Sequence, residues 1–422
     1  MDRTRWPLVF LLIGSGVVAS MQSGKAPLAI ADIRIELGVG LVIAGLIVST
    51  FSGMTGAAGA FAGILGDRYG HRNMLMVGYG FLVAGAVGGS FARDGDWLLA
   101  SRVVEGIGFV AILVGSPALI ARAARPEDHR LAFGLYGTNF PAGVSVMMAL
   151  SPLILLPLGW RGLWLVNAGL CVAMAVLLWL GTRRIADAAW RAGQGEGAQG
   201  EVVGARTLAD LWVVLRAPGP WVVALCFMTY GILWSAVVFW LPTYMIERAG
   251  HSALFAALVG AAVVFGNVIG NIAGARLNHG KPRSVPLIAL AGAGMAGLVL
   301  FVFDPATPEP LRYVLAFAFS TVGGLVPSSS LASVQSLAPR PDLVGSVLGL
   351  IFQAVFGGTP AQVSGPTGPM TVVMAAVVAW MAVDAEAGWD RAGGPFALLG
   401  LAGMLLAGLL WLVLRRRARP GG

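Results

Sequence analysis

Three charged residues stand inside long apolar runs: Lys25, Arg102 and Glu105. Charge inside a membrane-spanning helix is costly, and by default it serves binding or ion movement. Arg102 and Glu105 are spaced i and i+3, so they can pair on one helix face. That pair leaves Lys25 as positive charge with no local partner. A cation in that setting receives an anionic substrate. Two other readings stay open. Lys25 can snorkel toward the nearer interface, and Arg102 with Glu105 can tie one helix to its neighbours. Glu105 is the only acid deep enough in its run to carry a coupling proton. The chain has 2 Lys against 26 Arg, so a Lys at this depth stands out from its background usage.

Polar and aromatic side chains inside the later runs form a second candidate set. Tyr230 and Trp234 lie one turn apart. Asn139 and Gln353 occupy pseudo-equivalent places in the two halves of the chain. Ser235, Asn267, Asn271, Ser320 and Thr321 add hydroxyls and amides. Such groups orient a ligand or tie helices together, and residue type alone does not choose between the two.

The elements that must position these residues follow from composition. Of 422 residues, 57% are hydrophobic and 11% charged, and the mean hydropathy is +0.81. That excludes an ordinary soluble enzyme, a disordered chain and a nucleic-acid binder. Twelve apolar runs fall near 6–31, 39–64, 74–91, 97–121, 131–157, 162–181, 220–245, 253–275, 285–303, 312–334, 344–382 and 393–414. The first is too long for the apolar core of a signal peptide and reads as an uncleaved span. Lys25 then lies about 10 Å, Arg102 about 9 Å and Glu105 about 13 Å below the same boundary. Cys171 and Cys226 sit in apolar runs and give neither a disulfide framework nor a metal set. The run at 344–382 holds Gly357-Gly358-Thr359-Pro360 and Ser364-Gly365-Pro366-Thr367-Gly368-Pro369, which predict a kinked helix with an extra piece on its outer side.

Charge placement sets the topology. With twelve spans, 20 of the 28 Lys and Arg residues fall on the side of the termini and 6 on the other. The positive-inside rule then places both termini in the cytoplasm. The organisation expected is a six-helix bundle over 1–181, a cytoplasmic linker with a short amphipathic helix over 182–219, and a second bundle with a basic tail over 220–422. The halves echo each other: Gly159-Trp160-Arg161 precedes segment 6, and Gly388-Trp389-Asp390-Arg391 precedes segment 12. Duplicated bundles around a central site describe one large class of secondary transporter.

Between segments 2 and 3 stands Gly63-Ile-Leu-Gly66-Asp67-Arg68-Tyr-Gly70-His71-Arg72. Arg102-Val-Val-Glu105-Gly106-Ile-Gly108 opens segment 4. With Gly159-Trp160-Arg161, these strings resemble the signatures of the major facilitator superfamily, and the resemblance covers the whole chain. It implies an all-α membrane protein of twelve helices in two pseudo-symmetric bundles. It also implies alternating access, with Gly63, Gly66, Asp67, Arg68, Gly70 and Arg72 gating the cytoplasmic side. Independently of family, Gly63 and Gly66 allow close helix approach, Gly70 permits a tight turn, and Asp67 suits a helix end.

No ATP-binding motif is present, so this is not a nucleotide-driven pump. The drug-antiporter signature of segment 5 is absent; Gly134-Leu-Tyr-Gly137-Thr-Asn139-Phe-Pro141-Ala-Gly143 stands in its place. Val104-Glu105-Gly106-Ile-Gly108-Phe109 and Gly24-Lys25-Ala-Pro27 are similar to the cyanate-permease branch of small-anion carriers. Segment 2 lacks the Arg of the nitrate carriers. The expectation is a non-enzymatic, proton-coupled carrier, favouring uptake of a small anion. It needs no cofactor or metal and works as a monomer in a bacterial inner membrane. Its partners are the small-molecule substrate, the lipid bilayer and the coupling proton, with no nucleic acid. The alternative is proton-driven efflux of amphipathic drugs or metabolites.

Overall fold

The computed structural model describes residues 3–40, 43–48, 50, 54, 66, 70–194, 212–247, 249–279, 283–337, 339 and 347. Gly63, Asp67, Arg68, Gln353, most of segment 2, all of segment 11 but residue 347, with its Gly/Pro run, and segment 12 lie outside these residues.

Every regular element described is a helix. They are α1 (Trp6–Leu37), α2 (His71–Ser90), α3 (Gly95–Ala123), α4 (His129–Tyr136), α5 (Asn139–Gln194), α6 (Pro218–Glu247), α7 (Ala253–Asn278), α8 (Ser284–Phe303), α9 (Glu309–Gly323) and α10 (Leu325–Leu337). Residues 43–48 are also helical. Among the described residues, seven helical stretches are long and apolar enough to cross a membrane. At 1.5 Å per residue the 20 residues of α2 span the roughly 30 Å of a hydrocarbon core. The 32 residues of α1 exceed it, so its last turns, with Asp32, Arg34 and Glu36, reach past the core.

Local chemistry sets the ends. Asp94 caps α3 by accepting from the Trp97 amide at 2.8 Å, and Ser252 caps α7 by accepting from Phe255 at 3.2 Å. Gly38 closes α1 in the left-handed conformation at φ 64°. Within α5 the helical path breaks at one residue, Gly159, at φ 62° and ψ −175°, a conformation a side chain would disfavour. The two limbs fold back on each other there. Asn167, on the second limb, donates to the Met147 sulfur on the first at 3.3 Å.

Two segments read as single runs are divided. Segment 5 becomes α4 and the first limb of α5, with a tight step at Gly137–Thr138 just before Asn139. Segment 10 becomes α9 and α10, parted at Gly324. Gly324 itself keeps helical angles, φ −60° and ψ −18°, and its missing side chain lets α7 pass close: a Cβ there would overlap the Asn267 carbonyl oxygen.

The N-terminal and C-terminal halves meet along α7. Gly134 in α4 lies against Ala275, where an added Cβ would sit 2.7 Å from the Ala275 Cβ. Ser145 donates to the Ala261 carbonyl at 2.8 Å, and Met148 packs on Gly260. One buried apolar cluster runs through both halves, and a second, with Ile33, Leu98, Met147, Trp160 and Trp164, fills the end of the N-terminal half away from the termini. Leu153, Leu156, Leu290 and Val314 point outward, as a surface solvated by lipid requires.

Candidate functional site

Lys25, Arg102 and Glu105 come together as one buried cluster, each with 0% of its surface exposed. α1 supplies Lys25, and its ammonium donates to Glu105 Oε1 at 2.5 Å and to Gln22 Oε1, one turn earlier on the same helix, at 2.7 Å. α3 supplies the other two, and Arg102 Nη1 pairs with Glu105 Oε2. The guanidinium also donates to the Gln22 carbonyl at 3.1 Å and to the Ile47 carbonyl at 3.2 Å. The Lys25 ammonium stands 4.5 Å from the ring centroid of Trp164, on the second limb of α5. Gln22 in turn donates to the Cys171 sulfur at 3.2 Å.

Glu105 is thus shared, one oxygen to each cation. This corrects the expectation that Arg102 would take the carboxylate and leave Lys25 without a partner. A carboxylate offers two oxygens and about four lone-pair sites, so it serves both. The i, i+3 rule finds partners on one helix; the partner here is 80 residues away in sequence. The cluster still carries two cations for one anion, an excess of one positive charge. α2 closes the cluster from the side. A Cβ on Gly85 would stand 2.5 Å from Glu105 Cγ and 2.8 Å from the Ser101 carbonyl oxygen, so only glycine lets the α2 backbone lie this near.

The second candidate set forms a separate group on α6, α7 and α9. Tyr230 and Trp234 stack at 6.3 Å with 26° between their planes. Tyr230 donates to Asn267 Oδ1 at 3.2 Å, and Trp234 Nε1 to Ser320 Oγ at 2.9 Å. Asn267 donates to the Ser320 carbonyl at 2.9 Å, and Asn271 donates to Asn267 Oδ1 at 2.8 Å. Ser320, in the last turn of α9, faces these groups. Asn139 is buried against α1, where a Cβ on Gly16 would reach its Cβ at 2.8 Å. The next residue, Phe140, meets Trp234 edge-on at 6.3 Å. Phe140 therefore sits at the seam between the halves, with Asn139 beside it packed on α1.

Of the gating set, Gly70 adopts φ 85° at the start of α2, and Gly66 packs against the His71 ring, which would lie 2.5 Å from an added Cβ. Arg72 donates from Nε to Thr182 Oγ1 at 2.9 Å. That contact lies within the N-terminal half, because the start of α2 faces the far end of α5.

Sequence reasoning missed the use of Gly159-Trp160-Arg161. Trp160 Nε1 donates to Glu36 Oε2 at 2.6 Å, and Arg161 reaches Glu36 Oε1 at 2.7 Å from Nη2. Arg161 Nη1 also donates to the Ser90 carbonyl at 2.9 Å and the Ala92 carbonyl at 2.8 Å, capping the end of α2. The bend at Gly159 aims both side chains, and the result clamps α1, α2 and α5 on the side away from the termini. Trp164 was missed too; its i+4 spacing from Trp160 was the available signal.

The structure thus holds a buried charge cluster in the N-terminal half and an aromatic–amide group in the C-terminal half, which Phe140 meets from across the seam. The fold matches a solved proton:xylose symporter, XylE, with a TM-score of 0.73 at 15% identity, covering 96% of this chain and 95% of that one. At that identity the likeness concerns the fold. An uncharacterised MFS-type transporter of Mycobacterium tuberculosis is 24% identical over 179 residues, 42% of this chain and 30% of its own length. The puromycin resistance protein of Streptomyces alboniger is 26% identical over 184 residues, 43% of this chain and 36% of its own length. The chain thus matches about a third of the length of these curated relatives. The family model described as Major Facilitator Superfamily matches residues 11–361, most of the chain. This multi-pass membrane protein with the fold of a secondary transporter belongs to the Major Facilitator Superfamily.

Proposed function

We propose that the protein carries a small anionic solute across a bacterial inner membrane by alternating access, coupled to protons and running toward uptake, as in the cyanate-permease branch. The observation that carries this is the excess positive charge of the Lys25–Glu105–Arg102 cluster, which no other described acid at that depth offsets. Inside a low-dielectric bundle such a charge acts over several ångströms without contact. It favours an anion held at the seam by Asn139, Tyr230 and Trp234, with Gln353 from segment 11. Lys25 and Arg102 contribute through their field, and Glu105 holds both in place and couples them to the proton. In this reading the halves are the bundles 1–181 and 220–422, working as a monomer with both termini in the cytoplasm. The stretch from Gly63 through Gly66, Asp67, Arg68 and Gly70 to Arg72 gates that side.

The test is uptake into proteoliposomes under an imposed pH gradient, with a panel of small anions and uncharged analogues. Anion uptake that exceeds the uncharged analogue in wild type and loses that preference in Lys25→Met supports the reading. Unchanged anion uptake in Lys25→Met removes it.

The aromatic wall of Phe140, Tyr230 and Trp234 favours a second reading, efflux of amphipathic compounds, in keeping with what the Streptomyces alboniger relative is named for. It expects drug resistance on overexpression and tolerance of Lys25 substitutions.

A further inference from the structure

The cluster contains three ionisable groups, and charge counting separates them. The Arg102 guanidinium stays protonated in proteins. Protonating Glu105 would raise the buried charge from one to two and remove the anion that holds the cations together. Losing a proton from Lys25 would lower the buried charge from one to zero and keep the Arg102–Glu105 pair. Burial disfavours net charge, so the two changes differ in sign.

The hydrogen bonds point the same way. The Lys25 ammonium has three N–H groups and two acceptors, Glu105 Oε1 at 2.5 Å and Gln22 Oε1 at 2.7 Å. Its remaining neighbour is the face of Trp164. A neutral amine keeps two N–H groups, enough for both acceptors. Deprotonation therefore costs the cation–π contact but no hydrogen bond. Glu105 accepts on both oxygens from charged donors, so a proton on either would turn two charge-assisted bonds into weaker neutral-acceptor ones. Around Lys25 the described groups are Gln22 on its own helix, Arg102 and Glu105 from α3, and Trp164 and Cys171 from α5.

We infer that Lys25 is the residue whose proton moves, with Glu105 a permanently ionised positioning residue. The step is ammonium to amine plus a proton released to water, the cluster passing from one positive charge to none. It refines the coupling proposed above, giving Glu105 the part of counter-ion, and it is testable without transport.

The chain has only two lysines, Lys25 and Lys281, so labelling lysine with 15N at the side chain gives two signals. The whole protein in lipid nanodiscs is titrated from about pH 5, just above the ordinary carboxylate range, to about pH 10, near that of free amines, so a Glu105 carboxyl raised by its surroundings would show as a titration inside the window. Lys25→Met assigns its signal by deletion. The Glu105 carboxyl is followed by 13C labelling and assigned with Glu105→Gln. The expected result is a Lys25 signal that moves from the ammonium to the amine position inside this window, below Lys281, while the Glu105 carboxyl stays ionised. A Lys25 signal fixed as ammonium throughout, or a Glu105 carboxyl that titrates before it, overturns the inference. Lys25→Arg gives an independent readout: a guanidinium does not release its proton, so a pH gradient should no longer drive net uptake, and gradient-driven uptake that persists in Lys25→Arg overturns the inference. The titration and the uptake assays fail separately, so a negative in one leaves the other interpretable.

Discussion

Removing Glu105 must be worse for the protein than removing Lys25. At 2.5 Å and an effective dielectric constant of about 20, the Lys25–Glu105 attraction is roughly 7 kcal/mol before desolvation. Desolvation cancels much of that, and breaking a buried pair by deleting one partner costs about 3–5 kcal/mol in practice. Glu105→Gln strands two cations at once and belongs at the top of that range, at about 5 kcal/mol. Lys25→Met leaves the Arg102–Glu105 pair intact and neutral. It loses the hydrogen bonds to Glu105 and Gln22 and the contact with the Trp164 face, together about 1–3 kcal/mol, partly offset because a charge no longer needs burying. The double substitution Lys25→Met with Glu105→Gln leaves a single cation, so it should recover part of the loss seen in Glu105→Gln. The assay is thermal unfolding of the purified protein in one detergent, read by tryptophan fluorescence and monodispersity. The expected order of stability is wild type, Lys25→Met, the double variant, then Glu105→Gln. If Lys25→Met unfolds as early as Glu105→Gln, or the double variant is no better than Glu105→Gln, the shared-carboxylate account is wrong.

Other outcomes follow from the same geometry. Gly85→Ala should destabilise by about 1–3 kcal/mol through overlap with Glu105 and Ser101, while Gly80→Ala, with open space around it, should melt as wild type does. Arg161→Lys keeps the charge but not the planar fork, and should lose most of the capping of α2. Glu36 and Arg161 are partly exposed, so the cost is about 1 kcal/mol, measured by melting. Gly159→Ala should cost about 1–3 kcal/mol by forcing a side chain into the φ 62° conformation, again read by melting. Trp234→Phe retains the ring against Phe140 and removes the Ser320 hydrogen bond. It should leave the melting temperature near wild type, weaken ligand retention about fivefold (about 1 kcal/mol), and show that as a raised KM in uptake.

Much of the fold was legible in the sequence because a membrane enforces simple rules. Backbone groups must be satisfied within a helix, so apolar runs of about 20 residues give spans almost directly. α2, α3, α7 and α8 match their runs within a few residues for that reason. The close passage of α7 against Gly324 was not legible, because no local pattern encodes which backbone will lie there. The Gly159-Trp160-Arg161 string was visible as a motif, but its work on Glu36, Ser90 and Ala92 requires three helix ends to meet.

The candidate site divides along the same line. Sequence by itself determined which residues are unusual: Lys25, Arg102 and Glu105, because charge in an apolar run stands out whatever surrounds it. It determined also the Arg102–Glu105 contact, since helical spacing makes it local. Tertiary structure alone decided that Lys25 joins them, that Trp164 covers its ammonium, and that Trp234, stacked on Tyr230, meets Phe140 across the seam. Those contacts join residues from 80 to 139 positions apart or from opposite halves of the chain. The physical reason is that a carboxylate's second oxygen is filled by whichever donor packing brings to it, and packing is a property of the assembled bundle.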